Sequence, residues 1–218
     1  MFAIILITVC TLGHVYVFLR IAGVPVVRRR FSRFRLILAG LLVWIGFVLG
    51  LTLGHDSTGW PATLLETVGM SWLGILFLLF VCFFTVDLVT GFGRWGGRLV
   101  PWLRSGALAM GCLLVMIAFV QGWRAPVITD YRIRRKNLSP ELDGTVVVAL
   151  SDTHLGAQLG PCWLTDRVEQ IQKQSPDLIV LLGDIYEGHG CRPETLLPVL
   201  RRLQAPLGVW GVLGNHEF

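Results

Sequence analysis

Five residues of this chain have the types and spacing to do chemistry together. Asp152 and His154 lie in Ser-Asp-Thr-His at 151–154, Asp184 in Gly-Asp at 183–184, and Asn215 and His216 in Gly-Asn-His-Glu at 214–217. Divalent cations that act on phosphate esters take hard or borderline oxygen and imidazole ligands, which this set supplies. Two cations about 3.5–4 Å apart need a carboxylate between them, and Asp184 is placed to be that bridge. Asp152 and His154 alternate along what reads as an extended segment, so both side chains are expected to grip one ion. Asn215 offers a neutral carbonyl oxygen to the other. His216, directed differently, could give a proton to a leaving alkoxide or stabilise charge growing on the phosphoryl oxygens. Water activated by the cations would be the nucleophile, and no protein nucleophile is required.

The elements that must position these residues are legible on either side of them. Each motif follows directly on a short, β-branched apolar run, at 146–150, 178–182 and 209–213. Such runs read as buried parallel strands bounded by turn residues. Loops past the carboxyl ends of parallel strands converge, which would bring Asp152, His154, Asp184 and Asn215 to one place. Between the strands, Trp163, Leu164, Val168 and Ile171 recur at helical spacing over 163–174, before Pro176. A second helical stretch, 194–203, is interrupted by Pro198. The order is βαβαβ.

The rest of the chain is a different material. The stretches 2–19, 36–53, 68–86 and 105–123 each run 18 or 19 residues without Lys, Arg, Asp or Glu. At about 1.5 Å per residue each is long enough for a bilayer core of roughly 30 Å. Trp60, Trp95, Trp102 and Trp123 near their ends fit interfacial belts. The fold class expected is therefore a multi-pass α-helical membrane region, 1–123, followed by an α/β unit, 144–218. Residues 124–143 form a linker, in which alternation over 127–134 suits an edge strand. Gly46, Gly50 and Gly54 would let a neighbouring helix of the same chain approach closely. His14 is expected to bond a neighbouring helix, and Glu66 and Asp87 to reach the interface.

No basic residue precedes the first span, which reads as a retained anchor rather than a cleaved signal. Arg20, Arg28, Arg29, Arg30, Arg33 and Arg35 follow that span, and Arg94, Arg98 and Arg104 separate the third from the fourth. Both loops are expected on the cytoplasmic side of a bacterial inner or plasma membrane, which puts the α/β unit on the outer, periplasmic or extracellular, face. Arg124, Arg132, Arg134, Arg135 and Lys136 pull the other way. The formal charge of +5 is uneven: residues 1–143 carry 14 basic and 6 acidic groups, residues 144–218 carry 5 and 8. The excess belongs to the membrane part and implies anionic headgroups as its partner, not nucleic acid. The five cysteines have no ligand-type spacing.

Taken in order, the three motifs resemble the calcineurin-like metallophosphoesterases, whose pattern runs D-x-H, G-D-x-x-D/E, G-N-H-D/E, an isolated His and G-H-x-H. Here the first three read Asp152-Thr153-His154, Gly183-Asp184-Ile185-Tyr186-Glu187 and Gly214-Asn215-His216-Glu217. The lead-in at 138–144 looks like the bacterial membrane-anchored branch. The resemblance implies that Asp152 and His154 hold a first metal, Asp184 bridges, Asn215 binds a second and His216 is the catalytic histidine, with Glu187 a supporting acid. It implies two divalent ions (manganese, iron, zinc or magnesium) and a phosphomonoester, phosphodiester or pyrophosphate substrate. The membrane makes a lipid or envelope substrate attractive. It also implies a partial fold, the first half of a pair of packed sheets flanked by helices. The chain ends at Phe218, before the isolated His and G-H-x-H, so it is expected to be a fragment, inactive alone. The rival expectation is a membrane scaffold or sensor that binds a phosphorylated ligand without turnover. His189 reads as a loop histidine, and His55 and Asp56 as a short polar loop. Gly91-Phe92-Gly93-Arg94-Trp95-Gly96 matches a dinucleotide fingerprint literally but lacks the strand before it and the acid after it.

Overall fold

Two units of different chemistry make up the chain, one of residues 1–53 and 65–124, the other of 54–64 and 125–218. The computed structural model describes residues 2–54, 59–156, 158–187 and 193–217. His55, Asp56 and His189 lie outside them.

The first unit is helical: α1 (Phe2–Ala22), α2 (Pro25–Arg30), α3 (Arg33–Leu49), α4 (Trp60–Val89) from residue 65 onward, and α5 (Val100–Gly122). Four segments are long and apolar enough to cross a membrane: Ile4–Ala22, Arg33–Thr52, Trp60–Val89 and Gly97–Gly122. The boundaries follow local chemistry. Ser32 starts α3 by accepting the Arg35 N–H on its hydroxyl at 3.3 Å, and Pro25 opens α2, where a missing N–H costs nothing. Several threonines within the helices bond back to their own chain, as Thr8 does to the Ile4 carbonyl at 2.7 Å, so those hydroxyls do not need water.

Packing inside this unit rests on aromatic and aliphatic side chains, among them Val17, Phe47, Leu76 and Phe83. His14 joins α1 to α3 through the Gly40 carbonyl at 3.1 Å, as its position within an apolar helix requires. A Cβ built on Gly50 would stand 3.1 Å from the Gly69 Cα. The glycine stripe thus serves an approach within the chain. α4 is longer than the uncharged stretch 68–86 because both flanking acids, Glu66 and Asp87, are helical. Asp87, in the last turn of that helix, is not left to solvent. It is fully buried, between Arg20 and Arg104.

In the second unit β1 (Val147–Leu150), β2 (Leu178–Leu181) and β3 (Val209–Gly211) form a parallel sheet in the order β1-β2-β3. Val147 pairs with Leu178 and Leu150 with Leu181; Ile179 pairs with Val209 and Leu181 with Gly211. The crossovers are α6 (Pro161–Gln172) and α7 (Pro193–Leu200), the latter keeping Pro198 inside it. A short helix tolerates that residue because only one backbone bond is lost.

Leu164, Val168 and Ile171 of α6, Leu196 of α7, and Leu155, Ile179 and Leu203 form the core, with Val148, Leu150 and Leu181 against it. The helices cover one sheet face. On the strands, Val147 is 53% and Trp210 67% exposed and all of β3 is exposed, so the expectation of buried strands is met only in part, at the residues of β1 and β2 that face the helices. The edge strand expected over 127–134 does not form. Val127, Tyr131 and Ile133 are all exposed, and alternation alone makes no strand where no sheet buries the apolar side. The segment runs beside α6, where Gln170 Nε2 donates to the Pro126 carbonyl at 2.9 Å.

Candidate metal centre

Beyond the ends of β1 and β2 the chain continues pairing through its loops. Asp152 N donates to the Gly183 carbonyl at 3.2 Å, His154 N to Asp184 at 3.0 Å and Leu155 N to Ile185 at 2.9 Å, while Glu187 N returns to Leu155 at 3.0 Å. Buried Thr153 adds its hydroxyl to the Ile185 carbonyl at 2.9 Å. Two loops that would otherwise be independent are therefore zipped together.

The segment that holds Asp152 and His154 is not extended, contrary to the alternation read from the sequence. Asp152 and His154 take φ of 54° and 43°, and Asp184 takes 50°. Left-handed backbone at non-glycine residues costs about 1–3 kcal/mol each and persists only where surrounding bonds over-determine it. Three of the five candidate residues share this feature. Their side chains meet because the backbone curls, not because it alternates.

Glycine allows the second and third loops to touch. Gly183 takes φ of 90°, and a Cβ there would fall 2.6 Å from the Gly214 nitrogen. Across this contact Glu217 acts as a clasp. Its Oε1 accepts from Ile185 N at 2.6 Å and Tyr186 N at 3.0 Å, and its Oε2 from Asp184 N at 3.0 Å and Gly214 N at 2.6 Å. Those N–H groups, that of Tyr186 first, push the Glu217 carboxyl down to about 2. A return bond runs from His216 N to Asp184 Oδ1 at 2.9 Å. Ser151 also donates its hydroxyl to Asp152 Oδ2.

Two groups of donor atoms result. One is Asp152, His154 and Asp184; the other is His154, Glu187 and His216; in each, the ligand atoms lie within 4.8 Å of one another. Donors on one cation with bonds of roughly 2.0–2.2 Å can lie no more than about 4.4 Å apart, so each group is gathered to nearly the reach of a single ion. His154 belongs to both, its ring centroid 4.6 Å from that of His216. Its Nδ1 is shut off from solvent and has no hydrogen-bond partner among the described residues. Two carboxylates and an orphaned imidazole nitrogen fit a divalent cation.

The structure thus brings Asp152, His154 and Asp184 together and sets His216 beside them. Asn215 opens the short turn Asn215–Glu217, exposed, between the residue Glu217 holds and the residue Asp184 holds. Glu187 lies closer to the donor atoms than a merely supporting acid needs to. The sequence reading gave Glu217 no role. Its signal was available: an acid next to the expected ligands, at the end of a motif whose loops leave backbone N–H groups unpaired.

With the geometry in hand, comparison with known proteins is specific. The calcineurin-like phosphoesterase family matches residues 145–218. A transmembrane protein with metallophosphoesterase domain from Danio rerio is 29% identical over 112 residues, 51% of this chain and 26% of the relative. An uncharacterized metallophosphoesterase of Aquifex aeolicus is 34% identical over 95 residues, 42% of this chain and 34% of the relative. A UDP-2,3-diacylglucosamine pyrophosphatase of Chlamydia trachomatis is 37% identical over 82 residues, 35% of this chain and 24% of the relative. The chain therefore spans no more than about a third of these relatives' lengths. No solved structure matches.

Proposed function

Residues 145–218 belong to a calcineurin-like metallophosphoesterase domain, which they cover in part, and from that premise we propose a membrane-anchored, metal-dependent phosphohydrolase acting on phosphomonoesters, phosphodiesters or pyrophosphates. The observation that carries it is the meeting of Asp152, His154 and Asp184 donor atoms within 4.8 Å, on loops fixed at the ends of parallel strands.

In this reading Asp152 and His154 would hold one divalent ion, Asp184 would serve as the shared carboxylate, and Asn215 would offer its carbonyl oxygen to a second. Bound divalent cations would polarise the phosphoryl group and ease deprotonation of water at neutral pH. The chain's own residues do the rest. Asp184 keeps its place because His216 N holds one of its oxygens and Glu217 holds its backbone. Exposed His216 can meet an incoming ester and deliver a proton to the leaving alkoxide oxygen. The backbone bond from His154 N to Asp184 fixes where that residue sits, and its unpartnered Nδ1 leaves a lone pair available to a cation.

Four apolar helices and relatives named as transmembrane support a membrane protein, and the reading takes that membrane to be a bacterial inner or plasma membrane. The arginines after α1 and before α5 favour the cytoplasm for those turns and the outer face for the catalytic unit. The diacylglucosamine pyrophosphatase among the relatives makes a lipid-linked pyrophosphate a reasonable first substrate to try. No observation favours the non-catalytic scaffold over this reading. The test is hydrolysis of an aryl phosphodiester and monoester by the detergent-solubilised, full-length natural protein, stripped with chelator and resupplied with manganese. Turnover that returns with metal is expected; a folded, metal-loaded protein without turnover on either ester or on a lipid pyrophosphate would count against it.

A further inference from the structure

The helical unit holds a charge cluster that hydrolysis leaves unused. Asp87, in the last turn of α4, accepts from the Tyr16 hydroxyl at 2.7 Å and from Arg104 Nη2 at 2.9 Å, and its Oδ2 lies 2.5 Å from Arg20 Nε. One fully buried carboxylate therefore faces two guanidinium groups. A net positive charge remains where the side chains are mostly withdrawn from water, a costly arrangement without a counter-anion. Arg20 recovers part of that cost by lying over the Tyr16 ring, 5.0 Å from its centroid. Arg104 Nε is shut off from solvent with no hydrogen-bond partner among the described residues.

Beside this cluster lies the glycine-rich turn whose fingerprint the sequence left without a use. Phe92 N donates to the Asp87 carbonyl at 2.6 Å and Trp95 N to the Thr90 carbonyl at 2.8 Å, folding the turn back on the end of α4. Gly93 takes φ of 89°, and a Cβ on it would stand 3.6 Å from Arg104 Nη2; a Cβ on Gly23 would stand 3.8 Å from Nη1. Glycine brings two backbone turns against the guanidinium without capping it, and Arg104 keeps 16% of its side-chain surface and Arg20 24%. Arg94 and Arg98 stand exposed on the same turn, with Phe92 52% and Trp95 67% exposed between and before them. Cations interleaved with exposed aromatic rings suit the headgroup layer of a bilayer.

We propose that Arg104 and Arg20, with Arg94 and Arg98 on the adjoining turn, form a seat for the phosphate of an anionic phospholipid headgroup. Guanidinium groups match phosphate oxygens in pairs, and the anion balances the charge that Asp87 leaves over. The seat rests on the membrane reading given above and is independent of the hydrolytic site.

The experiment uses the full chain in vesicles of phosphatidylcholine alone or mixed equally with phosphatidylglycerol, followed by detergent extraction and mass measurement of the lipid retained. The protein should float with both vesicles and retain phosphatidylglycerol selectively, in a manner that added inorganic phosphate does not displace. Retention should fall roughly fivefold per arginine removed in the Arg94→Gln/Arg98→Gln protein, which leaves the buried cluster intact, and further in Arg104→Gln. Flotation without selective retention, or retention unchanged in the Arg94→Gln/Arg98→Gln protein, overturns the seat alone. Displacement by inorganic phosphate with no lipid preference assigns the site to a free anion and overturns the lipid claim. Failure to float with either vesicle overturns the membrane reading as well.

Discussion

Glu217 accepts the Asp184 backbone N–H at 3.0 Å, and His216 N donates to the Asp184 side chain at 2.9 Å. The third loop thus grips the central carboxylate of the site from both its backbone and its side chain. A carboxylate that gathers four backbone N–H groups from two loops does the work of a bound anion and fixes where the donor atoms can lie.

Replacing Glu217 by Gln should loosen that clasp without removing its bulk. The amide offers one acceptor oxygen where the carboxylate offers two, so at least one N–H pair is left unmet. Metal affinity is expected to fall about 10–100-fold, the range typical when partners behind the ligands are lost, with Glu217→Ala weaker still. Calorimetric titration of chelator-stripped protein with manganese measures this. Wild-type affinity in both variants would remove Glu217 from the site's support.

The clasp also sets an acid limit. Because the folded carboxyl is pushed down from 4.5 to about 2, its contribution to loop order is complete above the upper value and is lost as pH falls toward the lower one. Proteolysis of the 183–187 loop in metal-free protein should therefore stay constant from neutrality to about pH 5 and rise below it. In Glu217→Gln the same profile should be flat.

Gly183 is a point of close approach where a methyl group has no room. Gly183→Ala places carbon 2.6 Å from the Gly214 nitrogen and forces alanine into a φ of 90°. A loss of about 1–3 kcal/mol in unfolding free energy is expected, with weaker metal binding, read together by thermal melts with and without manganese. Gly160→Ala, which meets open space at a negative φ, is the control.

In the helical unit, Asp87→Leu leaves Arg20 and Arg104 buried without their carboxylate. Breaking a buried pair from one side costs about 3–5 kcal/mol, so the melting of the helices should move far more than in Arg202→Gln, which breaks the exposed contact with Glu169. Circular dichroism in detergent distinguishes the two.

Much of this organisation could be read from residues alone. The three strands, their order and the helices between them followed from apolar runs of the right length bounded by turn residues, because burial against α6 and α7 demands that pattern. The four apolar helices followed from bilayer-length uncharged stretches, while the ion pairs of Asp87 did not, because a charge rule cannot see two arginines arriving from other helices. No strand forms at 127–134 because alternation states only a preference, and no ladder bonds join that segment to the free edge of β1 or β3 among the described residues. Of the residues expected to converge in the site, Asp152, His154 and Asp184 do meet, but not through an extended segment. Left-handed turns bring them together, and these depend on hydrogen bonds between loops some thirty residues apart. Glu217 escaped notice because its partners are backbone groups, which no side-chain motif displays.

The most direct measurement is the metal content and manganese-restored phosphoesterase turnover of the full-length natural protein with Asp184→Ala beside wild type. The account predicts that the substitution lowers bound metal and abolishes metal-dependent hydrolysis of the aryl phosphodiester while the helical unit melts as before. Unchanged turnover with normal metal content in Asp184→Ala would contradict it.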